Sequence, residues 1–129
     1  MKNSPGVIWI KIAAVYFVLG VSLGAYMGAS GDHTMRPVHA HINLLGWATM
    51  AIIGLIYRQF PEIANTLLAR IHFWIHNLGL PLLMLMLACL LRGYTSLEPV
   101  LGIASIVVVG SIVLFAVNIF KNLKGQDEA

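Results

Sequence analysis

Four apolar runs, each long enough to cross a bilayer as a helix, dominate this sequence and leave little of it for anything else. They cover about 7–27, 37–57, 71–91 and 99–120, and roughly 20 residues rising about 1.5 Å each span the hydrocarbon core. Main-chain groups in lipid must be paired internally, so runs of this length predict helices. Composition agrees, since 59% of the 129 residues are hydrophobic and only 10% are charged, against about 25% charged in a soluble domain. The expected fold is all-α, a polytopic membrane protein in which residues 1–129 form one four-helix bundle with lipid as its first partner. The first run exceeds the apolar core of a signal peptide and no small-x-small cleavage site follows Tyr26, Met27 and Gly28, so it reads as a membrane helix.

The connectors carry stop signals. Gly28, Gly31 and Asp32 break the chain before Pro37, which suits a first helical turn. Phe60-Pro61-Glu62 opens a stretch, Ile63 to Arg70, expected to lie in the interface as a helical turn or two. Arg92-Gly93 ends the third run, and Ser96 is expected to cap the fourth helix with Glu98 in its first turn. The polar tail from Gly125 to Ala129 is expected to be disordered.

Charge reads as topology. Lys2, Arg58, Arg70, Lys121 and Lys124 fall on one side, Arg36 and Arg92 on the other, and Lys11 can snorkel toward the first group. The positive-inside rule then puts both termini in the cytoplasm of a multi-pass inner-membrane protein. A net charge of +3, scattered in this way, predicts no nucleic-acid partner. The single Cys89 excludes an intrachain disulfide and a cysteine-based zinc or iron–sulfur site.

The five histidines, His33, His39, His41, His72 and His76, form two clusters. Ionisable residues inside membrane segments are costly enough to be functional candidates. His39 and His41, two apart, point about 200° from one another around the second helix. They cannot hold one ion together, yet they can serve two centres on either side of the helix; the plainer alternative is a pair of interfacial histidines bonded to main chain or headgroups. His72 and His76, four apart, share one face of the third helix and suit a metal clip or a common polar partner. Against that, His72 beside Arg70 can simply be solvated.

Counted from the cytoplasmic ends of the runs, His41 stands about 24 Å up and His76 about 8 Å up. One iron cannot take both, and a bis-histidine site at the outer level needs His33 or another copy of the chain as its second source. Met35 with His33, His39 and His41 can alternatively form a soft copper site.

No Asp or Glu lies within a span, Glu98 standing at a boundary, so a carboxylate relay for pumping is absent. Among Tyr16, Tyr26 and Tyr57, none stands a turn from a histidine within the second helix. Trp9, Trp47, Trp74 and Tyr94 read as belt or core residues. Gly20, Gly24 and Gly28 on the first helix, with Gly46 and Gly54 on the second, allow close helix approach, within the bundle or between protomers.

The segment Arg36-Pro37-Val38-His39-Ala40-His41-Ile42-Asn43-Leu44-Leu45 resembles the haem-ligand segments of haem-copper oxidase subunit I, including its nitric oxide reductase branch. There a His-x-His helix bridges two haems and His-x-Asn-Leu-Leu marks a haem-bearing helix. Ile71-His72-Phe73-Trp74-Ile75-His76-Asn77-Leu78-Gly79 resembles a helix of the same subunit. Together these cover about a third of the chain. The family's subunit has twelve helices in three sets of four, of which this chain has one set; no His-Pro-Glu-x-Tyr copper segment and no paired-histidine copper motif is present.

The resemblance implies haem b held by His39 and His41 as axial ligands, with Asn43 or Arg36 supporting those ligands or holding the propionates. It implies respiratory electron transfer or nitric oxide or oxygen chemistry, a redox partner and a homo-oligomer, a trimer before a dimer. It gives no ligand role to His72 or His76, and it predicts no proton-pumping oxygen reduction by this chain alone. The alternatives are a copper-holding or oxidase-assembly protein without turnover, and a structural membrane module without a cofactor.

Overall fold

The computed structural model describes residues 4–125; Lys2 and residues 126–129 of the tail lie outside the described residues. Four long helices, α1 (Pro5–Ser30), α2 (Arg36–Gln59), α3 (Leu67–Leu91) and α4 (Glu98–Asn122), are each long and apolar enough to cross a membrane. The described residues contain no strand.

Helix starts follow local chemistry. Pro5, Pro37 and Pro99 sit in the first turns of α1, α2 and α4, where a missing N–H leaves no intrahelical bond unmade. The Thr66 hydroxyl instead caps α3, accepting from the Ala69 N–H at 3.0 Å. At the other ends, Gly31 (φ +70°) closes α1 through its N–H to the Met27 carbonyl, and Gly93 (φ +102°) follows α3. Ser96 does not cap α4: it lies in a single 3-10 turn, Thr95–Leu97, and Leu97 takes the N-cap position. Glu98 does stand in the first turn.

The chain folds as two antiparallel hairpins, α1 against α2 and α3 against α4. Glycines bring α1 and α2 into close contact. A Cβ on Gly20 would fall 2.6 Å from the Asn43 side chain, one on Gly24 2.8 Å from His39, and one on Gly46 2.5 Å from the Tyr16 ring. This part of the stripe therefore serves contact inside the chain, while Gly28 has nothing within 4 Å.

The hairpins meet around Trp9, which stacks on His72 at 4.8 Å and packs edge-on against Phe73. Large aliphatic side chains cover the outside of every helix, among them Val18, Leu44, Leu78 and Ile106, as a lipid-facing surface requires. The connector between α2 and α3 departs from expectation. Only Pro61–Ala64 is helical there, and Ile63 is fully buried rather than interfacial. The reason is Asn118 of α4, which donates to the Ile63 carbonyl at 2.8 Å and accepts from the Thr66 hydroxyl at 2.8 Å. Arg70 is already inside α3.

α2 is not uniform. Residues Ile42–Ala48 adopt π-helical pairing, and the chain is α-helical before and after them. The last wide-turn bond runs from the Thr49 N–H to the Leu44 carbonyl. Where i→i+5 pairing reverts to i→i+4, the ladder passes over one carbonyl, and here that is the carbonyl of Leu45.

Candidate functional site

The last α-helical turn before the π segment carries His39 and His41, and their rings diverge. His39 Nδ1 lies 2.8 Å from the Gly20 carbonyl of α1, and His41 Nδ1 lies 2.7 Å from the Pro37 carbonyl of its own helix. Carbonyl oxygens only accept, so Nδ1 is the donor in both contacts, with the Asn43 amide nitrogen also 3.3 Å from His39 Nδ1. Asn43 supports this arrangement by donating from Nδ2 to the His39 carbonyl at 2.9 Å. The absence of side chains at Gly20 and Gly24 makes room for it.

His41 lines a cavity of about 410 Å³ that lies against α2, α3 and α4, with Leu45, Leu83, Leu87, Ser105 and Val108 among its walls. Arg36 is exposed in the first turn of α2. His33 is exposed in the preceding loop and Met35 is half-buried at the N-cap of α2. Next to His33, Asp32 accepts from both the Thr34 hydroxyl and the Thr34 N–H, which hold its carboxyl below the usual range. Among the described residues, no three His, Cys, Asp or Glu side chains come together as a metal-holding group.

The second histidine pair is placed differently from what its sequence neighbours imply. His72 is not solvated beside Arg70: it and His76 are both 0% exposed, because the buried connector draws the start of α3 into the core. Trp9, Tyr57 and Phe115 surround His72, and Tyr57 Oη lies 3.0 Å from its Nδ1. His72 Nε2 is buried with no hydrogen-bond partner among the described residues. His76 has both nitrogens engaged, Nδ1 at 3.0 Å from Ser111 Oγ and Nε2 at 3.3 Å from the Leu45 carbonyl.

That last contact also corrects the depth count. Leu45 is four residues from His41, about 6 Å along a helix, so the two clusters approach one another far more closely than counting from span ends suggests. The pairing of Tyr57 with His72 crosses from α2 to α3, and no spacing within one helix could reveal it.

Comparison of the chain with protein-family models, curated proteins and solved structures found no match. The likeness of residues 36–45 and 71–79 to haem-copper oxidase subunit I therefore rests on those residues alone.

Proposed function

We propose that this chain is a membrane-embedded b-type haem protein in which His39 and His41 supply axial nitrogens from opposite sides of α2. One observation carries the reading: both rings turn Nδ1 to a main-chain carbonyl, which directs Nε2 away from it as the nitrogen available to a ligand. Histidines that ligate iron are oriented in this way by the partner of their other nitrogen. The apolar cavity beside His41 suits a porphyrin face, and Arg36 at the helix start suits propionates. When bound, the haem supplies a one-electron couple for respiratory electron transfer or for nitric oxide or oxygen chemistry, with a redox partner as donor.

Because His39 and His41 face apart, each needs a second ligand from elsewhere. A neighbouring copy supplies one in every protomer of a closed ring, and three copies reproduce a twelve-helix plan. The distribution of Arg58, Arg70, Lys121 and Lys124 against Arg36 and Arg92 supports cytoplasmic termini. A reduced-minus-oxidised spectrum of protein purified from membranes, with haem quantified per chain, tests the site: a sharp haem band is expected, whereas stoichiometric copper without haem would replace it with the metal-holding reading. Native mass spectrometry tests the shared ligand, since a haem-loaded monomer is incompatible with it and would point to His33.

A further inference from the structure

We propose that a cavity of about 230 Å³, where α1 begins and the connector turns into α3, holds an anionic phospholipid, with Arg70 and the Trp9 indole N–H on its phosphate.

Most polar groups on the cavity walls are already engaged. The Tyr57 hydroxyl faces His72 Nδ1 at 3.0 Å, and the Asn65 amide donates to the Pro61 carbonyl at 2.8 Å. The Thr66 hydroxyl lies between the Ile63 carbonyl and Asn118. Two donors are left over. Trp9 is only 1% exposed, a depth at which an indole N–H usually has an acceptor. Its contacts with Tyr57, His72, Phe73 and His76 are instead ring to ring, and no described residue accepts from it. Nor is that N–H sealed in, since His72 Nε2 is the one fully enclosed side-chain nitrogen or oxygen without a partner among the described residues. The sliver of surface it keeps belongs to the cavity that Trp9 lines. Arg70 is exposed on the first turn of α3, and the side-chain hydrogen bonds at this end run through Asn65, Thr66 and Asn118 without using its guanidinium.

Indole and guanidinium groups donate and never accept. The occupant must therefore bring acceptors, and a guanidinium favours acceptors that carry negative charge. A phosphodiester offers both.

The surroundings select a lipid over a soluble anion. Arg58, Arg70, Lys121 and Lys124 stand at this end of the bundle against Glu62 alone among the described residues. Basic clusters at the ends of membrane spans attract anionic headgroups, and the same excess disfavours a headgroup with a cation of its own. One turn deeper than Arg70, Phe73 continues the wall, and Ile8 of α1 also belongs to it. Ile8 is 38% exposed and Trp74, beside Phe73, 57%, so apolar surface continues from the cavity toward the lipid. A free phosphate has nothing to place on that surface, whereas a phospholipid lays an acyl chain along it.

Phosphatidylglycerol titrated into phosphatidylcholine bilayers holding nitrogen-15 tryptophan-labelled protein tests the site, with NMR of the indole N–H groups as a readout independent of haem. The Trp9 resonance is expected to move downfield and saturate, while that of Trp47, which is off the cavity walls, stays in place. Arg70→Gln alters an exposed side chain and should weaken the apparent affinity about fivefold, the worth of one cation at a membrane surface. Arg58→Gln, at the same end but off the walls, should leave it unchanged. A Trp9 resonance indifferent to phosphatidylglycerol overturns the proposal, as does an unchanged affinity in Arg70→Gln or an equal loss in both variants. The same shift produced by inorganic phosphate in phosphatidylcholine alone also overturns it, because the site would then serve a soluble anion.

Discussion

The Nε2 of His76 lies 3.3 Å from the Leu45 carbonyl, and each completes what the other lacks. A π segment leaves a carbonyl without its helical donor, and lipid offers none. The histidine one helix away provides it, so a local irregularity in α2 becomes a bond between the two hairpins.

Removing that donor is expected to be expensive. His76→Ala leaves the Leu45 carbonyl unpaired and a void between α2 and α4, and should destabilise the fold by about 3 kcal/mol. Thermal unfolding in fixed detergent measures it, and a transition at the wild-type temperature would deny the contact its role.

Haem content separates the histidines. His39→Ala and His41→Ala are each expected to lower the haem bound per chain, because each deletes one axial nitrogen. His72→Phe, whose side chain stays among Trp9, Tyr57 and Phe115, should leave the haem bands in place. Wild-type haem in the double variant His39→Ala/His41→Ala would remove this site from consideration.

Two glycines of one stripe should behave oppositely. In Gly24→Val the new side chain meets the His39 ring, since even a Cβ falls 2.8 Å from it, and haem content should drop with no histidine altered. Gly28→Ala has nothing within 4 Å and should gain about 0.5–1 kcal/mol from helix propensity. Haem titration of the first variant and melting of the second provide the comparison.

Asn118 ties the connector to α4. Asn118→Leu removes one of the two donors to the Ile63 carbonyl and one of the two acceptors facing the Thr66 hydroxyl, leaving only their contact with each other, at a cost of about 1 kcal/mol. Hydrogen exchange should then rise in residues 62–66 before it rises in any of α1–α4; uniform protection would count against the tie.

The four spans were legible because hydropathy over twenty residues survives any detail of packing. The divergence of His39 from His41 was legible too, since both precede the π segment and the regular period still applies there. What lay beyond reach were relations set by a third element. Ile63 is buried because Asn118, 55 positions later in the chain, reaches its carbonyl, and with the connector folded inward every depth counted up α3 was too small. Tyr57 and His72 meet across helices, where no single-helix spacing records it. Ser96 has the residue type of a cap but lies one position too early, in the 3-10 turn.

The π segment also divides α2 into two parts that are out of step. Residues Ile42–Ala48 hold, in effect, one residue more than a regular helix would use, and each residue of an α-helix turns it by about 100°. Because the wider turns of that stretch take up the extra residue, loss of a single codon within it would heal the helix while leaving His39 beside Gly24 and Tyr57 facing its core. A descendant altered in this way would keep the same hydropathy profile and the same four spans, but with no passed-over carbonyl for His76 to serve. The vernier setting of seven residues, rather than the apolar runs around them, is what a lineage must preserve to keep the two hairpins bonded there.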